Sequence, residues 1–205
     1  GPMDLFDAIC HAMSTLATGG YSTKQASIAY WNSRYIEYVI AVFMFIGGTN
    51  FSLIYFLFQR KPKKLTQDEE FRWYLFICLS FTAIIAVCLL LIGHISNPEQ
   101  SFRISLFQVI SVVTTTGFAT ADYTQWGAFF SFIICILMLF CACAGSTSGG
   151  IKIVRLVVLC KNAINEFKRQ VHPNAILPVR LNERVVHEDI VKKVLTFMFL
   201  YLAIL

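Results

Sequence analysis

Two short stretches rich in threonine and glycine carry the residue types best suited to holding a dehydrated cation. Residues 113–120 read Val-Thr-Thr-Thr-Gly-Phe-Ala-Thr, and residues 16–23 read Leu-Ala-Thr-Gly-Gly-Tyr-Ser-Thr, 97 positions earlier. A dehydrating cation requires several oxygen ligands at one radius, and backbone carbonyls supply them without a fixed charge that would trap the ion. Glycine permits backbone angles that other residues avoid, so consecutive carbonyls can turn toward one axis. The residue types therefore predict two loops that line an ion pathway.

The two stretches correspond position by position. The aligned pairs are Thr18 with Thr115, Gly20 with Gly117, Tyr21 with Phe118 and Thr23 with Thr120. Threonine hydroxyls would add oxygen ligands and stiffness beside the glycines. The alternative is that each stretch is an ordinary glycine-containing turn between helices, which explains one copy more easily than two copies in the same position.

A third uncharged break interrupts an apolar segment and is followed by Lys152. Its residues are Gly145, Ser146, Thr147, Ser148, Gly149 and Gly150. The spacing resembles a phosphate-binding loop but fails the pattern, because the lysine must directly follow the second glycine and precede a serine or threonine. A six-residue break of this composition inside a span indicates unwound backbone that lines a pathway. We expect a movable gate here, with a passive kink as the alternative.

The composition is that of a membrane protein with several spans. The 205 residues are 57% hydrophobic and 14% charged, with a mean hydropathy of +0.64. The net charge of +5 comes from blocks between apolar runs and forms no continuous basic face, so we expect no nucleic acid partner. Six of the seven cysteines lie in or beside apolar runs, where they act as small hydrophobic residues and predict no metal site.

The hydrophobic pattern predicts two short helices and several longer ones. A helix over residues 4–15, capped by Asp4, would be only ~18 Å long, too short for a ~30 Å hydrocarbon core. A second short helix, capped by Ser101, is expected over residues 102–113. The long apolar segments are 35–58, 71–92, 127–144 with its continuation at 151–160, and the start of another at 194–205. The segment 35–58 contains Gly47-Gly48, which marks either a hinge or a close helix contact.

Positive charge predicts the orientation in the membrane. Of the 17 Lys and Arg residues, fourteen lie in residues 59–73 and 152–193, and three are Lys24, Arg34 and Arg103. Because cytoplasmic loops carry the excess of Lys and Arg, we expect the basic linkers in the cytoplasm and the Thr/Gly loops facing outside. Four acidic residues near the outer face would either concentrate cations or cap helices: Asp4, Asp7, Glu99 and Asp122.

The elements together indicate an all-α polytopic membrane protein. We expect repeats of span, pore helix and span around a central ion pore, with half-membrane pore helices and re-entrant filter loops. The predicted units are 1–58, the 59–70 cytoplasmic linker, the complete repeat 71–160, the 161–190 cytoplasmic connector and the truncated start of a further repeat at 191–205. Since the chain stops within an apolar run, we expect an internal fragment of a longer protein.

The two loops, together with the stretch Cys143-Ala144-Gly145-Ser146-Thr147-Ser148-Gly149-Gly150-Ile151-Lys152, resemble the TrkH family of bacterial potassium uptake proteins. That family belongs with KtrB and the plant HKT transporters, and the resemblance covers essentially all 205 residues. It implies four repeats around one pore, of which this chain would hold most of the second, all of the third and the start of the fourth.

The resemblance also implies roles for individual residues. The potassium-binding filter would consist of Ala17, Thr18, Gly19, Gly20, Thr114, Thr115, Thr116 and Gly117, supported by Tyr21 and Phe118. Potassium would bind at Thr18, Gly19, Thr115 and Thr116, and glycine at both filter positions fits potassium better than sodium. The intramembrane gate loop would be residues 145–150, with Lys152 just beyond it.

The same resemblance implies the surroundings of the protein. It predicts a multi-pass protein of the bacterial inner membrane that forms a homodimer and binds a cytosolic nucleotide-binding subunit of the TrkA type. The basic tracts at residues 61–64 and 161–184 are candidate contacts for that subunit. Potassium would be the transported ion, with no cofactor.

Three rival functions remain open at this point. The first two are potassium symport with protons or sodium, and sodium-permeable cation transport on the same scaffold. The third is a membrane enzyme with Cys or His chemistry, which requires titratable groups that converge. The histidines instead lie on different segments: His11, His94, His172 and His187.

Overall fold

The computed structural model describes residues 3–93, 95, 97–172, 175, 177–182 and 184–204, and these residues are mostly helical. The helices are α1 (Leu5–Leu16), α2 (Arg34–Gly47), α3 (Phe51–Phe58), α4 (Lys63–Gln67), α5 (Glu69–Ile92), α6 (Pro98–Val113), α7 (Ala128–Leu139), α8 (Ile153–Val171) and α9 (Glu188–Ile204). Short 3-10 turns occupy Ser27–Trp31 and Tyr123–Trp126. Two-residue strands form a parallel pair, β1 (Phe140–Cys141) with β2 (Ile151–Lys152), and an antiparallel pair, β3 (Arg180–Leu181) with β4 (Arg184–Val185).

Helix α5 agrees closely with the predicted span 71–92. Its start is capped by Asp68, whose carboxylate accepts from the Phe71 N–H at 2.9 Å, and it ends at Gly93 with φ of 81°. In the described part of the chain, α5 is the one continuous helix that is long and apolar enough to cross a membrane. The pair α2 and α3 passes the same test when it is taken as one bent span.

The predicted continuous span 35–58 is broken in the structure, and its two halves, α2 and α3, meet at 106°. The break is specified locally, since the Asn50 side chain accepts from the Ser52 N–H at 2.9 Å and caps α3. Gly48 also lies in a tight contact, where an added Cβ would stand 2.6 Å from the Tyr74 hydroxyl oxygen. The two glycines therefore mark both a bend and a close contact. The hydropathy pattern does not indicate the bend, because the segments on both sides of it are apolar.

The two short helices lie where the pattern placed them, with different caps. Helix α6 begins before the predicted residue 102, because Asn97 accepts from the Glu99 N–H at 3.0 Å and Pro98 fits the first turn. Ser101, the predicted cap, is instead buried inside α6, and its hydroxyl donates to the Ala86 carbonyl at 2.9 Å. Asp4 stands at the cap position of α1 without a capping hydrogen bond from its side chain.

The segment after Gly127 also departs from the predicted outline. Helix α7 ends at Leu139, and the chain continues as the extended β1 rather than as helix to residue 144. Helix α8 runs through the predicted boundary at residue 160 to Val171. The sequence between 161 and 171 contains polar residues but no glycine or proline, so nothing there ends a helix. Pro173, one of the predicted breaks in the connector, lies outside the described residues.

Three buried clusters occur among the described residues; the smallest joins α8 to α9, and the other two hold the remaining helices of the site together. The larger one joins α5, α6, α7 and the start of α8. The smaller one joins α2, α6, the outer segment before α2 and the second Thr/Gly loop, and its buried members are Ile28, Ile40, Ala41, Met44, Phe107, Ile110 and Phe118. Helix α6 contributes to both clusters, so its C-terminal end and the loop that follows it are fixed from two sides.

Candidate functional site

The two Thr/Gly loops leave their helices through the same hydrogen bonds, 97 positions apart. In the first loop the N–H groups of Ala17, Thr18 and Gly19 donate to the carbonyls of Met13, Thr15 and Ser14 at 3.0, 3.2 and 2.8 Å. In the second loop those of Thr114, Thr115 and Thr116 donate to Ile110, Val112 and Ser111 at 2.9 Å each. The sequence repeat is therefore also a repeat of backbone structure.

Both loops share an unusual backbone conformation. Thr18 and Thr115 have φ of 50° and 56°, and Gly20 and Gly117 have φ of 70° and 86°. Left-handed angles are a rare state for a β-branched residue, and each such residue costs about 1–3 kcal/mol. Left-handed residues separated by one position can turn consecutive carbonyls to one side, as a carbonyl-lined filter requires. Because the same strained backbone angles occur at matching positions of both loops, we infer that the backbone conformation itself serves the function of the loops.

The two loops lie against each other. A Cβ added to Gly20 would overlap the carbonyl oxygen and carbon of Thr116. Gly117 has open space around it, so its glycine is required by its φ rather than by crowding. The structure thus brings together loops that the sequence separates by about a hundred residues, with the carbonyl of one beside the α-carbon of the other.

Serines at matching helix positions support the aromatic residue of each loop. The Ser14 hydroxyl accepts from the Tyr21 N–H at 2.8 Å, and the Ser111 hydroxyl donates to the Phe118 carbonyl at 2.6 Å. The two rings differ in their surroundings, since Tyr21 is 83% exposed and Phe118 is 1% exposed. Only the second aromatic residue is packed within this chain.

The third predicted segment, residues 145–150, reaches both loops. The Gly149 N–H donates to the Thr115 hydroxyl at 3.0 Å, and the Thr147 hydroxyl lies 3.2 Å from the Leu16 carbonyl and 3.3 Å from that of Gly47. The pairing of β1 with β2 closes this segment at its base. All three predicted parts of the site therefore converge in one place.

Side chains from other elements fix the ends of the third segment. The Glu70 carboxylate accepts from the Ala144 N–H at 2.5 Å, and the Gly145 carbonyl accepts from the Phe51 N–H at 3.3 Å. The Lys152 ammonium donates to the Ser148 carbonyl and lies 3.0 Å from the Ser148 hydroxyl. The role of Glu70 was not foreseen, because a carboxylate at the start of a span looks like an ordinary helix-capping charge.

A buried ion pair, also not foreseen, ties α6 to α2. The Arg103 guanidinium donates to the Glu37 carboxylate, and both residues are buried. Arg103 also donates to Glu99, one helical turn earlier, at 3.1 Å. From the sequence, Arg103 contributes only to the count of positive charges, since no pattern indicates a partner 66 positions away.

The other acidic residues near the outer face have hydrogen-bond partners of their own. Asp7 is buried, accepts from the Thr23 hydroxyl at 2.7 Å, and lies 3.6 Å from the Lys24 ammonium. Asp122 is exposed and caps the 3-10 turn by accepting from the Thr124 N–H at 3.0 Å. The hydrogen bonds from Thr124 hold the pKa of the Asp122 carboxyl below its usual value. Local structure thus accounts for these two carboxylates.

Histidine and cysteine side chains do not meet in a reactive constellation within the described residues. No group of three or more His, Cys, Asp or Glu residues with metal-binding geometry occurs there. His11 is buried at the first loop, whereas His172 and His187 follow α8 and precede α9. His94 lies outside the described residues. All seven cysteines are free.

Comparison with known proteins gives consistent matches over the whole chain. A family model named TrkH and described as "Cation transport protein" matches residues 1–205. The chain is 39% identical over 202 residues to the Trk system potassium uptake protein TrkH of Escherichia coli K12, and 37% identical to TrkG of the same organism. Each match covers 97% of this chain and 41% of the relative. The chain thus spans about two fifths of the length of these relatives.

A solved structure matches as well. The crystal structure of the potassium transporter TrkH from Vibrio parahaemolyticus superimposes with a TM-score of 0.93 at 34% sequence identity. The match covers 98% of this chain and 44% of that chain. The helical arrangement described above is therefore the arrangement found in part of that transporter.

Proposed function

Because the chain belongs to the TrkH family of cation transport proteins, we propose that it forms part of a potassium uptake protein of the bacterial inner membrane. In this proposal α1 and α6 are half-membrane pore helices, and the loops after them are two segments of a carbonyl-lined filter. The chain supplies most of one repeat, a complete second repeat and the start of a third. The curated relatives named above are potassium uptake proteins.

One observation carries the proposal most directly. Both loops hold a threonine and a glycine at positive φ, 97 positions apart, and the two loops touch through Gly20 and Thr116. Carbonyl oxygens of residues 17–20 and 114–117 would replace the water around a dehydrated potassium ion. Thr18, Gly19, Thr115 and Thr116 are the proposed potassium ligands. The C-terminal ends of α1 and α6 add partial negative charge at the same depth.

We assign the gate to residues 145–150. The contacts from Gly149 to Thr115 and from Thr147 to Leu16 place this segment against both filter loops. The segment has hydrogen bonds at both of its ends and strain-tolerant glycines within it, with φ of 73° at Gly145 and 72° at Gly150. A segment that is held by hydrogen bonds of this kind can move when they break, and the helices around it stay folded.

The filter assignment is tested by replacing Gly117. Its φ of 86° suits glycine alone, so Gly117→Ser forces the loop to change shape. We expect the preference for potassium over sodium to fall at least about tenfold, which corresponds to ~1.4 kcal/mol in relative binding. The measurement is uptake of both ions by the full-length protein in cells that lack other potassium uptake systems.

A matched substitution shows whether the loss of ion preference is specific to Gly117 or follows from any replacement of glycine by serine. Gly93 also has positive φ, at 81°, but it ends α5, belongs to neither filter loop and has open space around it. Gly93→Ser is expected to keep the ion preference even if it lowers the amount of protein. An unchanged preference in Gly117→Ser would overturn the filter assignment.

The rival transport mechanisms share the same scaffold and differ in what moves with potassium. A channel has a reversal potential that follows the potassium gradient alone, whereas a symporter also responds to the sodium or proton gradient. We propose the channel-like mechanism, with sites made of uncharged carbonyls. A reversal potential that shifts with pH or sodium would replace it with symport.

We also propose the partners that the family resemblance predicts: a second copy of the protein and a cytosolic nucleotide-binding subunit of the TrkA type. The filter loops would face outside and the basic linkers the cytoplasm. The lysines of the 59–70 linker, Lys61, Lys63 and Lys64, are exposed and available for such a contact. Co-purification of the full-length protein with that subunit checks the assignment.

A further inference from the structure

His11 is a buried polar residue of α1 that the filter itself does not use. It is 2% exposed, and its Nδ1 lies 2.6 Å from the Asp7 carbonyl oxygen one turn earlier in the same helix. Its Nε2 lies 2.9 Å from the Ser22 hydroxyl, in the outer segment after the first loop. Hydrogen bonds at both nitrogens fix the plane of the imidazole ring.

The faces and edges of this ring contact two aromatic residues from different repeats. The Trp31 ring meets it edge-on, with centroids 4.9 Å apart and an angle of 83°. The Phe118 ring stacks on it, with centroids 5.7 Å apart and an angle of 28°. Phe118 directly follows Gly117 in the second loop and is 1% exposed. His11 therefore connects the helix of one repeat to the filter loop of the next.

Two hydrogen bonds of the Ala119 backbone reinforce this connection one residue further along. The Ala119 N–H donates to the Ser27 hydroxyl at 3.2 Å, and the Ala119 carbonyl accepts from the Ala29 N–H at 3.2 Å. The outer segment of the first repeat thus holds the exit of the second loop. Ile28, which is fully buried, packs in the same cluster as Phe118.

The equivalent position in the second repeat is occupied differently. Gln108 stands 97 positions after His11, and its buried side-chain oxygen has no hydrogen-bond partner among the described residues. Tyr21, the counterpart of Phe118, is 83% exposed. The contact between His11 and Phe118 is therefore a specific feature of this pair of repeats and not a general consequence of the repeat.

We propose that His11 is a positioning residue for ion selection. It holds Phe118 against the first repeat, and through Phe118 it fixes the carbonyls of residues 114–117 at the radius that suits potassium. This inference rests on the proposed function, because a radius matters only if those carbonyls bind the ion. Close packing in the protein interior transmits small displacements. If the contact between the His11 and Phe118 rings is lost, the carbonyls of residues 114–117 shift and the loop discriminates less between potassium and sodium.

The test is a double-mutant cycle on the full-length protein with the potassium-to-sodium uptake ratio as the readout. The single variants are His11→Gln, which keeps an amide within reach of Ser22 but loses the ring, and Phe118→Leu. We expect each to lower the ratio at least about threefold, and the double variant to be no worse than the worse single one. Residues that act through one shared contact are non-additive in this way.

Two further variants separate the possible outcomes. Thr82→Val changes a buried residue of α5 whose hydroxyl has no hydrogen-bond partner among the described residues, so the ratio should stay unchanged. Should His11→Gln fail to accumulate, His11→Met fills a similar volume and replaces it in the cycle. Thermal unfolding of each purified variant shows whether folding has changed.

The inference and the proposed function fail in different ways. If Gly117→Ser lowers the ratio but His11→Gln does not, or if the effects of His11→Gln and Phe118→Leu simply add, His11 has no positioning role and the filter assignment stands. If neither Gly117→Ser nor His11→Gln changes the ratio, the filter assignment itself is overturned.

Discussion

At the scale of single residues, the site combines strain with tight local support. Thr18 and Thr115 adopt left-handed angles that threonine rarely takes. Helix-end hydrogen bonds on one side, and Ser14 or Ser111 on the other, hold the residues around them. A strained backbone persists only when its surroundings over-determine it. The hydrogen bonds repeated in both loops supply that constraint.

The buried ion pair between Arg103 and Glu37 gives a prediction at this scale. Arg103→Met leaves the buried Glu37 carboxylate without its partner, and breaking such a pair typically costs about 3–5 kcal/mol. We expect a clear fall in the unfolding temperature of the purified full-length protein in detergent. The double variant with Glu37→Met should recover much of the loss, because it removes both buried charges.

Arg34 offers a matched control for this prediction. Its guanidinium lies 3.8 Å from Glu99, but its side chain is 71% exposed. Because exposed ion pairs contribute ~0–1 kcal/mol, Arg34→Met should leave the unfolding temperature nearly unchanged. If Arg34→Met and Arg103→Met lower the unfolding temperature equally, burial of the ion pair does not increase its contribution to stability.

At the scale of elements, the site is formed where several helices end before they are long enough to cross a membrane. Helices α1 and α7 have 12 residues each, and α2 and α3 are separated by a sharp bend. Residues 145–150 contact the end of α1, the end of α2 and the loop after α6. Non-helical backbone inside a membrane protein is stable when it is buried in protein or lines a watery cavity.

The gate assignment gives a prediction at this scale. Thr147→Val removes the hydroxyl that lies near the Leu16 and Gly47 carbonyls and keeps the side-chain volume. On the proposed gate assignment, we expect basal potassium flux through the full-length protein in proteoliposomes to rise at least about threefold. The observed position of the segment loses one hydrogen bond, which the Thr147 hydroxyl proton shares between the two carbonyls and which contributes about 0.5–1.5 kcal/mol. Deleting Gly149 and Gly150 should raise the flux further.

The control for the gate is the same substitution elsewhere. Thr66 is exposed in α4 and its hydroxyl donates to the Lys63 carbonyl, so Thr66→Val changes a similar contact far along the chain from residues 145–150. Its basal flux should match that of the unaltered protein. If basal potassium flux is unaltered both in Thr147→Val and in the variant that lacks Gly149 and Gly150, residues 145–150 are a passive kink and not a gate.

At the scale of the whole molecule, the distribution of Lys and Arg residues predicts the orientation of the protein in the membrane. The fourteen basic residues of 59–73 and 152–193 would lie on the cytoplasmic side. The four-residue turn Tyr123–Trp126 and the outer segment around Trp31 would lie on the other side, where aromatic residues favour the membrane interface.

This orientation is testable with a membrane-impermeant thiol reagent. In a full-length variant lacking all cysteines, Gln125→Cys should react in intact cells, whereas Lys63→Cys should react only after the cells are permeabilised. Both positions are exposed, so accessibility to the reagent reports the side of the membrane. Labelling of Lys63→Cys in intact cells would contradict the orientation. Potassium uptake by the cysteine-free protein would also argue against cysteine-based enzyme chemistry.

From the amino-acid sequence one can predict the helical character, the repeat and the three glycine-containing segments, and the resemblance of these segments to known proteins predicts the family. The helical character, the repeat and the three segments follow from local pattern, with glycines where φ is positive and apolar runs of defined length. The helix caps did not follow in this way, since neither Asp4 nor Ser101 caps its helix. The correspondence at 97 positions needed no structure, because it lies in the order of residue types.

How these segments meet depends on contacts between residues that are distant in the sequence. At the 106° bend between α2 and α3 the Asn50 cap is local, whereas the tight space around Gly48 is set by Tyr74 and Thr114, which are distant in the chain. The partners of Glu70, Arg103 and His11 are likewise remote in sequence, so no local pattern indicates them. The physical reason is that hydropathy and spacing report what a segment prefers to bury, whereas the partner of a buried polar group is chosen by the packing of the whole chain.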